Sequence, residues 1–108
     1  MGILDSKIRV AIDDAKECPY ADVLIRNGDL AEKVMRALIG SVSDLYIDHD
    51  LGDHVPNGFE ILNKLLGEAL CPEYVQVISM NPVGKQRMEN LLADYGYIKI
   101  GSKWGRVD

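Results

Sequence analysis

Near the middle of the chain an apolar run, Asp44-Leu45-Tyr46-Ile47, stops abruptly in Asp48-His49-Asp50-Leu51-Gly52. A short apolar stretch bounded by turn residues reads as a buried strand. Three ionisable side chains at its end are costly to hold together unless a cation neutralises the carboxylates or a reaction uses the imidazole. The bland alternative is a polar turn; a second acid and imidazole, Asp53-His54, just beyond weighs against it. Histidine ordinarily titrates near neutrality, so His49 is the candidate general acid or base, with Asp48 and Asp50 as its catalytic neighbours. Two further carboxylates, Asp13 and Asp14, end the alternating run Lys7-Ile8-Arg9-Val10-Ala11-Ile12. Asp13, Asp14 and Asp48, from two strand ends, suit a hard divalent cation, Mg²⁺ or Mn²⁺, which takes oxygen ligands and keeps waters for a phosphate. His49 and His54 could instead hold a transition metal with a nearby Asp, although no third nitrogen or thiolate is close in sequence.

The elements that must position these groups follow from the pattern. After the first strand, residues 15–21 contain Cys18-Pro19 and are too short and broken for a helix, so Asp22-Val23-Leu24-Ile25-Arg26 is a second strand reached by a loop. Asp29 with Glu32 reads as a capping box opening a helix with Leu30, Val34, Met35, Leu38 and Ile39 on its apolar face. Asn57 with Glu60 opens a second, carrying Phe59, Leu62, Leu65, Leu66 and Ala69. Tyr74 to Ile78 is a fourth strand. Asn81 and Pro82 then start a third helix, on Val83, Met88, Leu91 and Leu92, that Gly96 ends. Tyr97 to Ile100 is a fifth strand, and Gly101 to Asp108 a polar tail. Strands alternating with helices imply an α/β fold with a mainly parallel sheet.

In such a sheet the strand exits share one edge, where ligands bind. That edge receives Asp13, Asp14, Asp48, His49, Asp50, Ser79, Asn81, Ser102 and Lys103. The helix after Asn81 aims backbone N–H groups at the same place, which favours an anion. Ser79, Asn81, the backbone near Gly84 and Lys103 are therefore the expected phosphate-binding groups. Taken singly each has a plainer reading: Asn81 as an N-cap, Ser79 as a strand-end cap, Lys99 and Lys103 as surface lysines.

At 108 residues, with 47% hydrophobic and 27% charged, the sequence describes a single globular domain, 1–108. The net charge of -5 argues against duplex DNA and against an acidic membrane surface. No long apolar run and no leader are visible, so a cytoplasmic location is expected. Cys18 and Cys71 fit no metal or redox spacing and are expected to be idle thiols.

The acidic pair Asp13-Asp14, the Asp at the end of strand three, a Ser after strand four and a Lys after strand five resemble the receiver fold of response regulators. More closely, Ile12-Asp13-Asp14, Asp48-His49-Asp50-Leu51-Gly52 and Ser79-Met80-Asn81-Pro82-Val83-Gly84 are similar to the motifs of cyclic-phosphate processing receiver domains, over residues 7–100. That resemblance implies a small flavodoxin-like, receiver-like sheet in the order 2-1-3-4-5, without the first and last receiver helices. It also implies metal-assisted hydrolysis of phosphate esters, with cyclic phosphates of nucleotides or RNA ends as substrate. Ile78 stands where the family often has His, and Lys16 where it has Arg. The alternative is a non-catalytic receiver that accepts phosphate on Asp48 or binds a protein partner.

Overall fold

Alternation places Ile8, Val10 and Ile12 on one face of the first strand and Arg9 and Ala11 on the other. The computed structural model describes residues 7–107 apart from the Ile39 side chain; the expected frayed start, Met1 to Ser6, and Asp108 lie outside the described residues. The elements are β1 (Ile8–Ile12), β2 (Val23–Ile25), α1 (Gly28–Leu38) with a 3-10 turn (Ile39–Ser41), β3 (Val42–Ile47), α2 (Gly58–Gly67), β4 (Tyr74–Val77), α3 (Pro82–Asp94), β5 (Ile98–Ile100) and β6 (Lys103–Gly105). Among the described residues no helix separates β1 from β2, which pair in parallel.

The sheet has six strands in the order β2-β1-β3-β4-β6-β5. Its first four are parallel neighbours, as expected. The place beside β4 belongs not to β5 but to β6, antiparallel to both β4 and β5. This corrects the order 2-1-3-4-5 and the reading of residues 101–108 as a polar tail. The cause is local. Gly101-Ser102 joins the paired residues Ile100 and Lys103 as a two-residue hairpin loop, and Gly101, at φ 64°, takes the left-handed conformation such loops need. The β5 strand keeps the expected direction, being antiparallel to a strand that is itself antiparallel to β4, but is displaced outward by one position.

All three α helices cover one face. Met35 of α1, Leu62, Leu65 and Leu66 of α2, and Met88, Leu91 and Leu92 of α3 form one core with Val10, Ile12, Leu45, Ile47, Val75 and Val77. Three expected members are outside it: Leu30 is 52% and Val83 70% exposed, and Ala69 is exposed beyond the end of α2. The α1 helix begins before Asp29, with the Asn27 side chain accepting the Asp29 N–H at 2.7 Å, so its buried stripe runs through Gly28, Ala31 and Met35. In α3 it is Gly84, not Val83, that faces inward. The Asn57–Glu60 capping box and the Asn81 cap with Pro82 in the first turn form as the sequence predicts. Among the described residues no helix is long and apolar enough to cross a membrane.

Candidate functional site

The parallel ladders place the acids. The Asp13 N–H donates to the Ile25 carbonyl at 3.1 Å and the Asp48 N–H to the Ile12 carbonyl at 2.9 Å, so both residues continue the sheet past its last full row. Asp13, Asp14 and Asp48 each present a carboxylate oxygen within 4.8 Å of the others. Asp13 is fully buried. Its Oδ1 accepts the N–H groups of Ala15 and Lys16, both at 2.9 Å, whereas Oδ2 is buried without a hydrogen-bond partner. Leaving a buried carboxylate oxygen unsatisfied costs ~1–3 kcal/mol or more, and a bound cation removes that cost. The cluster could therefore bind a metal.

The Asp48 carboxyl has its pKa raised above the ordinary carboxylate value, so it gives up its proton less readily. Burial is the main cause and the charge of Asp13 adds to it; the His49 N–H at 2.8 Å, Lys16 and the Ser79 hydroxyl act in the opposite direction. Gly58 makes room for this strand end: a Cβ there would lie 2.0 Å from the Asp48 carbonyl oxygen.

His49 lies on the helix side of the same edge. Its Nδ1 is 2.8 Å from Asp50 Oδ1, and its Nε2 is buried without a partner. The ring packs on the first turn of α3, where a Cβ on Gly84 would come within 2.4 Å of His49 Cγ. His49, Asp50 and Asp14 line a cleft of about 520 Å³ closed by the loop through Gly52, Asp53 and Val55.

The phosphate group of residues is only partly assembled as the sequence predicts. Ser79 sits at the edge, but its Oγ accepts the Asn81 N–H at 3.0 Å while its hydroxyl contacts Asp48. Asn81 uses its Oδ1 to cap α3 through the Gly84 N–H at 3.0 Å, which commits the Gly84 amide and corrects its assignment to a phosphate oxygen. Gly84 instead serves by lacking a side chain beneath His49. Lys103 is elsewhere. Its Nζ is 2.9 Å from Asp44 Oδ2, inside β3 and four residues before Asp48. Lys99 pairs with Glu89 at 3.4 Å and is not in the site either.

The lysine that does arrive is Lys16. Its Nζ lies 3.9 Å from Asp13 Oδ2 and donates to the Ile78 carbonyl. Sequence reasoning singled out Lys16 only as a departure from the family motif. The usable signal was its spacing: three residues after Asp13, in a loop tight enough for Asp13 Oδ1 to hold the Lys16 N–H, the side chain folds back over the cluster. His54 is exposed, and among the described residues the acidic trio is the one group of three or more such side chains placed to hold a metal ion. The two-histidine arrangement does not form such a group.

No curated protein matches this chain. The family model of the cyclic-phosphate processing receiver domain matches residues 8–94. The match spans β1 through α3 and so takes in the acidic pair, the Asp48-His49-Asp50 turn and the Ser79-to-Gly84 segment. On fold, site and family model together, the chain belongs to the cyclic-phosphate processing receiver domain family.

Proposed function

We propose that this protein hydrolyses phosphate esters with the help of a divalent cation, and that its substrates are cyclic phosphates of nucleotides or of RNA ends. The observation that carries the reading is Asp13 Oδ2, a carboxylate oxygen buried without a hydrogen-bond partner inside a trio of acids. Asp13, Asp14 and Asp48 would hold Mg²⁺ or Mn²⁺, which when bound supplies charge stabilisation at a phosphoryl oxygen. Lys16 brings the positive charge nearest the trio and would hold a second phosphate oxygen. The Asn81 carbonyl is committed to the helix, which leaves its amide group to donate.

Asp50 orients His49 through Nδ1, so the lone pair of the neutral ring is on Nε2, which is buried and would take a proton from water or return one to the leaving oxygen only once uncovered. Ile78 contributes its carbonyl to Lys16 rather than an imidazole to the site, so one histidine must serve both steps. A cytoplasmic location and a protein partner fit this reading but carry none of it.

The test is turnover of a small panel of 2′,3′-cyclic nucleotides and cyclic-phosphate RNA ends by the wild type with Mg²⁺ or Mn²⁺. Hydrolysis that depends on the cation is expected. Cation binding without turnover of any panel member would favour the non-catalytic receiver, with Asp48 as a phosphate acceptor.

A further inference from the structure

One residue of the loop after β1 is held from three sides. The Lys16 N–H donates to Asp13 Oδ1 at 2.9 Å, its carbonyl accepts Arg26 Nη1 at 2.7 Å, and its ammonium donates to the Ile78 carbonyl. These partners stand at three different strand exits: Asp13 follows β1, Arg26 follows β2 and Ile78 follows β4. In the sheet β3 lies between β1 and β4, so those two strands run ~10 Å apart. To reach Ile78, the Lys16 side chain must cross the exit of β3, where Asp48 sits; the Ile78 N–H donates to the Ile47 carbonyl, which keeps residue 78 beside that exit. The crossing brings the ammonium to 3.9 Å from Asp13 Oδ2, the buried oxygen without a hydrogen-bond partner, and its charge favours the ionised form of Asp48. Fixing a long, rotamer-rich side chain costs conformational entropy. Neutralising crowded acids offsets that cost.

We propose that Lys16 is the built-in counter-ion of the acid trio, that a divalent cation displaces it from the Ile78 carbonyl, and that the freed ammonium then meets the phosphate. This rests on the cation site of the proposed function and adds an order to it, cation first and anion second. Geometry makes the two positive charges compete. A hard cation takes a carboxylate oxygen at ~2.0–2.6 Å, so on Asp13 Oδ2 it stands within ~6.5 Å of the ammonium's present position. Like charges that close repel. The tether is the weaker hold, one hydrogen bond to a neutral carbonyl against an ion that the carboxylates of Asp13, Asp14 and Asp48 are placed to share. Displacement leaves the loop in place, because the N–H and the carbonyl of Lys16 keep their bonds to Asp13 Oδ1 and Arg26. Only the side chain moves, and its flexible four-carbon stem lets the ammonium follow an anion.

Calorimetric titration of the full chain with Mn²⁺, without substrate, tests this. Lys16→Gln keeps a hydrogen-bond donor but no charge, and should bind Mn²⁺ ~10-fold more tightly than the wild type, a modest gain because the lysine is partly exposed. Without the cation this variant should melt below the wild type, since its trio is left without a counter-ion. Lys16→Arg restores the charge and should return the affinity to the wild-type level. Lys103→Met removes a lysine that serves Asp44 and should leave the affinity unchanged. An affinity unchanged or lowered in Lys16→Gln overturns the proposal, for residue 16 would then only order the loop. If that variant does not fold, the wild type decides: acylation of its lysines, read by mass spectrometry, should label Lys16 faster with Mn²⁺ than without, with Lys103 unaffected. A Lys16 that Mn²⁺ protects or leaves unchanged overturns the proposal. The hydrolytic reading is judged separately. Tighter Mn²⁺ binding by Lys16→Gln without turnover of any cyclic phosphate supports the counter-ion and removes the activity, and cation-dependent turnover with an affinity indifferent to residue 16 does the reverse. Failure of every form to bind Mn²⁺ overturns both.

Discussion

Asp44 lies within β3 and Asp48 just past its end, four residues and about 13 Å further along, yet the protein treats them in opposite ways. Asp44 is given a partner: Lys103 lies 2.9 Å away, and the lysine holds its proton more tightly for it, the hydrogen bond to Asp44 being the main cause. Nearby Asp22 is likewise matched, and its acidity is strengthened by the backbone N–H and guanidinium of Arg9. Asp48 is crowded instead, by burial and by Asp13. One end of the sheet is neutralised within the chain, while the other gathers three carboxylates with Lys16 beside them. Paired acids and crowded ones are thus separated along a single strand.

The largest expected effect tests whether the crowded end is catalytic. His49→Gln removes proton transfer but keeps a hydrogen-bonding side chain, so turnover of a cyclic nucleotide should fall ~10²- to 10⁴-fold with little change in binding. Binding and turnover falling together would make His49 a loop-ordering residue. Gly84→Ala comes next. Its new Cβ would collide with the His49 ring, 2.4 Å away, while alanine favours a helix by ~1 kcal/mol. Turnover should therefore drop ~10-fold or more, a size typical of a displaced catalytic group, with the melting midpoint nearly unchanged. Similar losses in both would mean that the glycine serves packing alone.

Asp48→Asn distinguishes the two ends by pH. An acid whose folded pKa is raised contributes stability at low pH that is lost as pH rises through that value. The metal-free variant should thus be as stable as the wild type or more so at neutral pH, and the gap should close on acidification, while the melting shift given by Mg²⁺ or Mn²⁺ disappears. Asp22→Asn should run the other way: its carboxylate is favoured in the fold, so the wild type should hold an advantage at neutral pH that fades as Asp22 is protonated. Thermal melts across the carboxylate range measure both. The smallest effect is expected from Lys103→Met, since a partly exposed ion pair is worth under ~1 kcal/mol. A loss of cation-induced stabilisation in Lys103→Met would break the comparison, because it would couple the two ends.

What the sequence determined by itself is local. The caps at Asn57 and Asn81, the apolar stripes of α2 and α3, and the four parallel strands all follow from neighbours within a few residues. The acid trio was legible for a related reason: in a parallel sheet the strand ends share an edge, so the tips of β1 and β3 meet once both strands are recognised. Three things needed the tertiary structure. The Gly101-Ser102 hairpin inserted β6 beside β4 and took Lys103 to Asp44; its turn could be recognised from two residues, but its docking against Val75 could not. Lys16 reached the site only because the loop after β1 closes tightly on Asp13. Ser79, Asn81 and Gly84 had the right chemistry, but the fold committed most of their polar groups to one another and to the α3 cap. A side chain's type states what it can bond; only the surrounding fold decides which of those bonds are already made.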